Sequence, residues 1–370
     1  MLDQSPLKCP NPKCHVPFSS FSLKGWSRPI RCLDGRKRRR LKCPGCGLRC
    51  TDNIHKMHYR LRHKDPAMNS KVLDLSLNGL SNRKISRFLA ISEHSVRIRI
   101  DRMARKALEF HHSTSHDLKI TEPVAYDGLE NFAGSQYDPN NINHAVGRNS
   151  LFIYDFNFAP LNRKGRISPW QKRRLRQLTT VHGRYNPQAI RISTCDLLKR
   201  LYVRRPKNQV LFLLSDEHFQ YRRALAEDLR FQNLEHQTIS SKACRNYQNI
   251  LFSVNHADLL IRQNIAAFAR ETISFSKTPG RMCHRYALFM VHKNYMCPQF
   301  TKKQSRREDA NSKSPAERVG LCNRLLGFQD IFHLRSSPKN ILSMSSDWKS
   351  FWNAKVPKKY LRSLDFNRST

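Results

Sequence analysis

Two aspartates each follow an apolar stretch that is typical of a β-strand. Asp127 comes directly after a short strand predicted over residues 123–126, and Asp216 follows the continuous apolar run QVLFLLS at residues 209–215. Such a run indicates a strand buried on both faces of a mixed sheet covered by helices. Because sites collect where the strands of α/β sheets end, we expect both carboxylates to face one cleft. Neighbouring carboxylates repel each other unless a cation lies between them, and Mg²⁺ or Mn²⁺ prefers such oxygen ligands.

A third carboxylate is expected from the stretch VNHADLLIRQNIAAFARETISFSK at residues 254–277. Its apolar residues recur at helical spacing and predict one amphipathic helix. The residues of this apolar face are Ala257, Ile261, Ile265 and Phe268. Two acids of the helix, Asp258 and Glu271, lie about 220° apart around its axis and cannot both face one site. One carboxylate from this helix would complete a two-metal site for in-line attack on a phosphodiester.

Two cysteine pairs have the spacing of a structural zinc site. One pair is a C-x4-C and the other a C-x2-C, and each lies in a turn rich in proline or glycine, where two thiolates can point at one ion. The 11 cysteines are an odd number, and the start MLDQSPLKCP lacks the apolar segment of a signal peptide, so metal is favoured over disulfides. The predicted Zn²⁺ ligands are Cys9, Cys14, Cys43 and Cys46, and the possible substitutes are Cys32, Cys50, His15 and His55.

The chain is strongly basic. Its 370 residues include 67 Lys and Arg against 28 Asp and Glu, which gives a net charge of +39 at pH 7. A positive field of this size attracts polyanions, so double-stranded DNA is the expected partner. An anionic membrane is the weaker alternative, because no apolar run approaches the ~18 residues of a spanning helix. The length suits two or three domains.

Three short helical patterns follow the cysteine region, over residues 69–77, 82–89 and 93–110. Ser81 and Ser92 precede the second and third patterns as N-caps. This order and size predict a helix-turn-helix, whose final helix enters the DNA major groove with its N-terminal end first. The residues left at that exposed end are His94, Ser95 and Arg97, and the inward stripe consists of Val96, Ile100, Met103 and Ala107. A plain linker of three helices is the alternative.

Further basic residues are candidates for contacts with DNA phosphates. A run of five lies in the cysteine region, and a basic insert at about residues 160–208, with Trp170, Tyr185 and Tyr202 interleaved, has Asp196 as its only acid between residues 163 and 207. The insert is a plausible clamp on phosphates, whereas the simpler interpretation is a solvated helix and loop. The candidates are Arg36, Lys37, Arg38, Arg39 and Arg40 in the run, Lys172, Arg173, Arg174 and Arg176 in the insert, and Arg262 in the third-acid helix.

Three of these stretches resemble insertion-sequence transposases of the DDE type, in which a zinc ribbon and a helix-turn-helix are fused to the catalytic domain. VAYDGLENF is similar to the strand of the first acid, LLSDEHFQYRRAL to the segment of the second, and residues 254–277 to the helix of the third. In that family the third acid is a glutamate at the position of Asn255. Asp258 lies one turn later on the same side, so we expect it to be the third acid, with Glu271 as the alternative.

The resemblance implies a multidomain α+β protein. Its parts would be a zinc ribbon over residues 1–66, a helix-turn-helix over 67–116, a ribonuclease H-like mixed α/β catalytic domain over 117–300 and a basic C-terminal arm over 301–370. We expect a linker at residues 298–318, while the aromatic residues after it could dock on the core, on a second protomer or on DNA.

The implied function is transposition of an insertion sequence. The chain would bind element ends and target DNA, cleave and join strands with Mg²⁺ or Mn²⁺, and carry a structural Zn²⁺. We expect a dimer or larger assembly on DNA, in the bacterial cytoplasm with the nucleoid. The alternative is a catalytically inactive, transposase-derived DNA-binding regulator or structural protein.

Overall fold

A computed structural model describes residues 9, 11, 14–26, 39–51, 67–227, 229–299, 313–334, 336 and 338–368. In this part of the chain the fold is mixed α+β. The strands are β1 (Ser22–Trp26), β2 (Arg39–Lys42), β3 (Arg49–Thr51), β4 (Val124–Phe132), β5 (Pro139–Gly147), β6 (Ile153–Pro160), β7 (Leu211–Asp216) and β8 (Leu234–Ile239). The helices are α1 (Met68–Leu77), α2 (Asn82–Phe88), α3 (Glu93–Ser115), α4 (Pro169–His182), α5 (Ala189–Val203), α6 (Phe219–Ala226), α7 (Phe252–Asn264), α8 (Pro279–Val291), α9 (Pro315–Arg318), α10 (Phe328–Phe332), α11 (Pro338–Ser343) and α12 (Ser346–Trp352).

The first three strands form a small antiparallel sheet in the order β1-β2-β3. The first cysteine pair precedes β1, and the second lies in the turn between β2 and β3. Strands therefore occupy part of the segment between the two pairs. Five of the predicted site residues lie outside the described residues, and they are Cys32, His55, Arg36, Lys37 and Arg38.

The helices α1, α2 and α3 begin close to where the sequence predicts. The side chain of Ser81 accepts a hydrogen bond from the Lys84 backbone N–H, and Ser92 accepts one from Ser95. These bonds satisfy helix N–H groups that have no partner within the helix, which explains both starting points. The predicted inward stripe of α3 is buried. However, α3 continues five residues beyond its predicted end at residue 110, because its last turns are also buried and His111 bonds to the Tyr154 carbonyl oxygen.

The larger sheet has five strands in the order β6-β5-β4-β7-β8. The strands β4, β5 and β6 pair antiparallel, whereas β7 is parallel to both β4 and β8. The strand predicted at residues 209–215 corresponds to β7, which lies between β4 and β8. The prediction that it is buried on both faces was wrong at Phe212, which is 45% exposed. The prediction of a mixed sheet with helices is confirmed.

Three features of this sheet were not predicted from the sequence. The strand β4 does not end at Asp127 but continues to Phe132 and pairs with β5 over its whole length. The polar sequence of β5, PNNINHAVG, gives no apolar alternation, yet all nine residues are buried. Its polar side chains are buried because they find partners, since Asn143 donates hydrogen bonds to Asn157 and Ser193. The edge strand β8 was also not expected.

Helices cover both faces of the sheet. On one face, Tyr126 of β4 hydrogen-bonds to Thr194 of α5 through their hydroxyl groups, which are 2.8 Å apart. On the other face, His144 of β5 contacts both α7, through Asp258, and α8, through Tyr286. Because side chains alternate along a strand, Asp127 and His144, which are opposite each other in the β4–β5 register, share this second face.

The helix predicted over residues 254–277 is shorter than expected. In the structure α7 ends at Asn264, and Ile265 has an extended backbone. Ile265 and Phe268 are still buried, but an irregular segment and not a helical face brings them into the core. Glu271 has a positive φ of 53° and is exposed. The predicted angle of about 220° between Asp258 and Glu271 was therefore wrong, because no continuous helix joins them.

The C-terminal segment packs on the core. Trp348 donates a hydrogen bond from Nε1 to the Phe156 carbonyl oxygen, and Phe351 stacks on the ring of Phe156 at 5.5 Å. The sequence left open whether the C-terminal aromatic residues dock on the core, on a second protomer or on DNA, and in the structure Trp348 and Phe351 pack on the core. One apolar cluster extends from Val72 in α1 to Tyr360. Among the described helices, none has the length and apolar character required to cross a bilayer.

Candidate active site and metal centre

The four predicted cysteine ligands lie together. Their sulfur atoms are all within 4.8 Å of one another, and the Sγ–Sγ distances are 3.6 Å for Cys9–Cys46 and 3.7 Å for Cys14–Cys43. Four thiolates bound tetrahedrally to zinc at about 2.3 Å stand about 3.8 Å apart, so the arrangement fits such an ion. These cysteines can therefore bind a structural metal such as zinc.

The local backbone explains how the two turns approach so closely. At Gly45 a Cβ atom would lie 2.6 Å from the Val16 side chain and 3.5 Å from the sulfur of Cys14, so glycine leaves the room that the cluster needs. A backbone N–H, that of Leu48, lowers the pKa of Cys46 to about 6, which favours the thiolate. Cys50 and His15, which the sequence offered as substitutes, are not members of the group found among the described residues.

The second candidate site is built around three aspartates. Asp127 lies within β4 and Asp216 is the last residue of β7, while Asp258 lies in the second turn of α7. The parallel register aligns Ala125 with Leu214, and its continuation places Asp127 level with Asp216 on the neighbouring strand. The helix α7 packs on the face of the sheet that bears Asp127 and His144, and Asp258 contacts His144 there.

The pKa of Asp127 is influenced by the charges of the two other aspartates. Partial burial raises its pKa to about 7, with further contributions from the negative charges of Asp258 and Asp216. The N–H of Gly128 donates to Asp127 Oδ1 at 2.7 Å and opposes the rise, but it does not cancel it. Three acids from separate elements thus act on one another without a bound cation. This arrangement favours binding of positive charge.

The three carboxylates are nevertheless not as tightly grouped as the cysteines. Among the described residues, the four cysteines form the one group in which at least three metal-ligand atoms lie within 4.8 Å of one another. The aspartate oxygens are therefore farther apart than the four sulfurs.

Sequence reasoning missed His144, which stands beside the acids. Its side chain is buried, and its Nε2 lies 3.0 Å from Asp258 Oδ1. Its Nδ1 is 2.5 Å from the hydroxyl of Tyr286. Tyr221 of α6 was missed as well; burial and the charges of Asp127, Asp216 and Asp258 raise the pKa of its phenol. No sequence signal identified His144, because Asp258 and Tyr286 are far from it in the chain. Tyr221 is close to Asp216 in sequence, but its proximity to Asp127 and Asp258 depends on the fold.

The other residues predicted on the third-acid helix have different environments. Asn255 is partly buried in the first turn of α7. Arg262, a candidate for contact with DNA, donates to the carbonyl oxygens of Phe268 at 3.3 Å and Glu130 at 3.0 Å. It therefore connects α7 to the segment after it and to β4.

The remaining candidates for DNA contact lie on separate surfaces. The four of the basic insert are exposed on α4, a helix whose residues are all exposed or partly exposed; they are Lys172, Arg173, Arg174 and Arg176. At the start of α3, His94 is exposed and its Nδ1 lies 2.8 Å from Arg97 Nη2, while Ser95 is partly buried. Arg39 and Arg40 are exposed at the start of β2.

The basic insert begins beside the acids. Burial is the largest influence on the pKa of His218, which it lowers; the charge of Asp216 opposes this and the charge of Lys164 adds to it. Lys164 lies in the loop before α4, so the insert brings a cation to the end of β7 that carries Asp216.

Neither a protein-family model nor a curated protein sequence matches this chain.

Proposed function

We propose that the chain is a DNA transposase that binds the ends of its own element and catalyses metal-dependent strand cleavage and strand transfer. The observation that carries the proposal is the convergence of Asp127, Asp216 and Asp258 from β4, β7 and α7. With Mg²⁺ bound, such a site would activate water or a 3′ hydroxyl and stabilise the leaving oxygen of a phosphodiester.

The fold supports this reaction class. Three antiparallel strands followed by two parallel ones, in the order β6-β5-β4-β7-β8, are what a ribonuclease H-like catalytic domain requires. In this arrangement the first acid lies on the central strand and the second on its parallel neighbour. The helices α1 to α3 would bind DNA as a helix-turn-helix, and the cysteine cluster would stabilise a zinc ribbon.

The charge distribution supports DNA as the substrate. The chain has a net charge of +39, and part of its positive charge lies on the exposed helix α4. The basic insert that contains α4 also includes Lys164, whose charge acts on His218 near Asp216. The basic side chains of α4 would neutralise the phosphates of a DNA end that lies along this helix. The same DNA end would then extend towards the three aspartates. Because two element ends must be joined, we propose a dimer or larger assembly on DNA.

The test is strand transfer by the full chain. The substrate is a labelled duplex of the DNA that flanks the gene, incubated with supercoiled target plasmid and Mg²⁺ or Mn²⁺. The wild type should join label to plasmid, and Asp216→Ala should abolish joining while still binding the duplex. Joining by Asp216→Ala at the wild-type rate would show that the assignment of the acids is wrong.

The third acid is tested separately. Asp258→Asn should abolish joining, whereas Glu271→Gln, a change at an exposed residue outside α7, should leave it intact. The opposite result would make Glu271 the third acid.

A non-catalytic, transposase-derived DNA-binding protein is the second candidate. It is favoured by Asn255 at the position where the family has its glutamate, and by the separation of the carboxylates. This candidate requires that the wild type bind the flanking duplex but join nothing with either metal.

A further inference from the structure

We propose that His144, held by Tyr286, is a positioning residue that fixes Asp258 as the third acid of the carboxylate site. The inference rests on the proposed function and deepens it. It concerns a strand and a contact that the family resemblance does not include. The site thereby compensates for Asn255 by orienting an acid one turn later in α7.

The position of His144 favours this role. It lies in the middle of β5 directly opposite Asp127 and is fully buried. From there Nε2 reaches Asp258 Oδ1 at 3.0 Å, whereas 20% of the Asp258 side chain is exposed. One buried ring therefore stands between the acid on α7 and the face of the sheet that bears the first acid.

The hydrogen positions follow from the neighbours of the ring. A nitrogen lone pair 3.0 Å from a carboxylate oxygen would be repelled, so Nε2 carries the hydrogen. In the neutral ring Nδ1 is then an acceptor, and the Tyr286 O–H donates to it at 2.5 Å. The resulting chain of polar contacts runs from α8 through β5 to α7.

Tyr286 is itself fixed by packing. It is fully buried in α8, and its ring lies 4.6 Å from that of Phe156 and 6.5 Å from that of Phe268. A tyrosine held in this way can keep the imidazole in one orientation and one tautomer. Side chains that orient a metal ligand commonly do so through a polar contact to that ligand while they are themselves held by packing.

The contact also leaves Asp258 able to bind a cation. Its Oδ1 is buried and has no well-aligned hydrogen bond among the described residues, so the His144 contact is bent and mainly electrostatic. A carboxylate offers about four lone-pair sites, and one bent contact leaves most of them open. Without His144, repulsion from Asp127 would favour rotation of Asp258 away from the site.

The experiment measures Mn²⁺ binding to the full chain by electron paramagnetic resonance, in which free Mn²⁺ is counted directly. His144→Leu should weaken binding by about 10- to 100-fold, as loss of an outer-shell partner does. His144→Gln keeps an N–H donor near the position of Nε2 and should recover most of that loss. Tyr286→Phe removes one oxygen and keeps the packed ring, and it should weaken binding by about 10-fold, at the lower end of the same range.

The matched control is His284→Gln. His284 is also a fully buried histidine, and it contacts Asp101 at 3.1 Å and the Phe351 carbonyl oxygen at 2.7 Å. It lies on α8 two residues before Tyr286 but bonds to other partners. Its replacement should leave Mn²⁺ affinity within about threefold of the wild type, because it touches none of the metal's ligands.

The outcomes separate this inference from the proposed function. If the wild type binds Mn²⁺ and His144→Leu binds it equally well while Asp258→Asn does not, the positioning role is wrong and the proposed function stands. If the wild type binds no Mn²⁺, the proposed function is wrong and the inference fails with it. If His144→Leu does not fold, Tyr286→Phe decides, and wild-type affinity in that variant overturns the inference.

Discussion

Replacing Asp127 with asparagine should make the metal-free protein more stable. The pKa of Asp127 in the folded protein is about 7, against an ordinary value of 3.8, because burial and two neighbouring acids disfavour its charge. The folded state therefore binds a proton more tightly than the unfolded state. Between pH 3.8 and about 7 this difference lowers the stability of the wild type as the pH rises. Above pH 7 the full penalty remains.

The size of the effect follows from this difference. A rise from 3.8 to about 7 corresponds to about 4 kcal/mol. Because the side chain is only partly buried, water screens some of this energy, and we expect a gain of about 2–4 kcal/mol for Asp127→Asn at pH 8. Asparagine has the same shape, and its Oδ1 can still accept the Gly128 N–H. Below pH 3.8 the gain should disappear, since the wild-type carboxyl is then neutral in both states.

The assay is urea unfolding at pH 8 in a metal chelator, followed by circular dichroism. Asp155→Asn is the contrasting variant, because Asp155 is also a buried aspartate of this sheet but is paired with Arg200 at 2.7 Å. Breaking that pair should destabilise the protein by about 3–5 kcal/mol, the opposite sign. Saturating Mg²⁺ should stabilise the wild type by about 2.7 kcal/mol at 100 times its Kd and Asp127→Asn by much less. A loss of stability in Asp127→Asn at pH 8 without metal would refute the reasoning.

Three further predictions concern other parts of the protein. Cys43→Ser, which removes a fully buried ligand, should reduce bound zinc from one per chain to less than about one half by elemental analysis, because structural sites need all four ligands. Replacing Arg174 and Arg176 by glutamine should reduce the slope of log affinity for DNA against log salt by about two, since each phosphate contact contributes about 0.9; an unchanged slope would exclude α4 from the interface. Burial lowers the pKa of His111 to about 3, so the unfolded state takes up its proton first as the pH falls below 6.5. Stability should then decrease by about 1.4 kcal/mol per pH unit between pH 6 and 4, and urea titrations of the wild type and His111→Gln should show a shallower decrease in the variant.

The elements that were predicted correctly have signals within a few neighbouring residues. The run at residues 209–215 contains most of β7 (Leu211–Asp216), because apolar residues in succession favour a strand in the interior of a sheet, although Phe212 is 45% exposed and the strand is not buried on both faces throughout. Ser81 and Ser92 start their helices through bonds that span three residues. Each cysteine pair spans only a short turn, so its spacing is visible in the sequence, and the four sulfur atoms lie within 4.8 Å of one another.

The missed features depend on partners that are distant in the chain. The strand β5 is polar, and it is buried because Asn143 meets Asn157 and Ser193, none of which its own sequence reveals. His144 contacts Asp258 and Tyr286, each more than 100 residues away.

The position at which α7 ends was also not predicted, and a contact with the distant strand β4 lies close to it. The apolar spacing of residues 254–277 continues past Asn264, but the helix does not. Arg262 binds the carbonyl oxygens of Phe268 and Glu130, and these contacts hold the chain in an irregular path. Apolar periodicity identified the buried residues of this segment but not the backbone that carries them.

The helix α3 has a mechanical consequence. Its 23 residues give a rod about 34 Å long, equal to about ten base pairs of DNA. The first half of the helix is fixed to α8, where Asp101 contacts Arg281 and His284. A second clamp joins the Gly79 N–H to the Asn264 carbonyl oxygen at the end of α7. These contacts connect the helices α1 to α3 with α7 and α8. Under the proposed function, α3 would hold the DNA bases that it contacts at a constant distance from the phosphodiester that is cleaved.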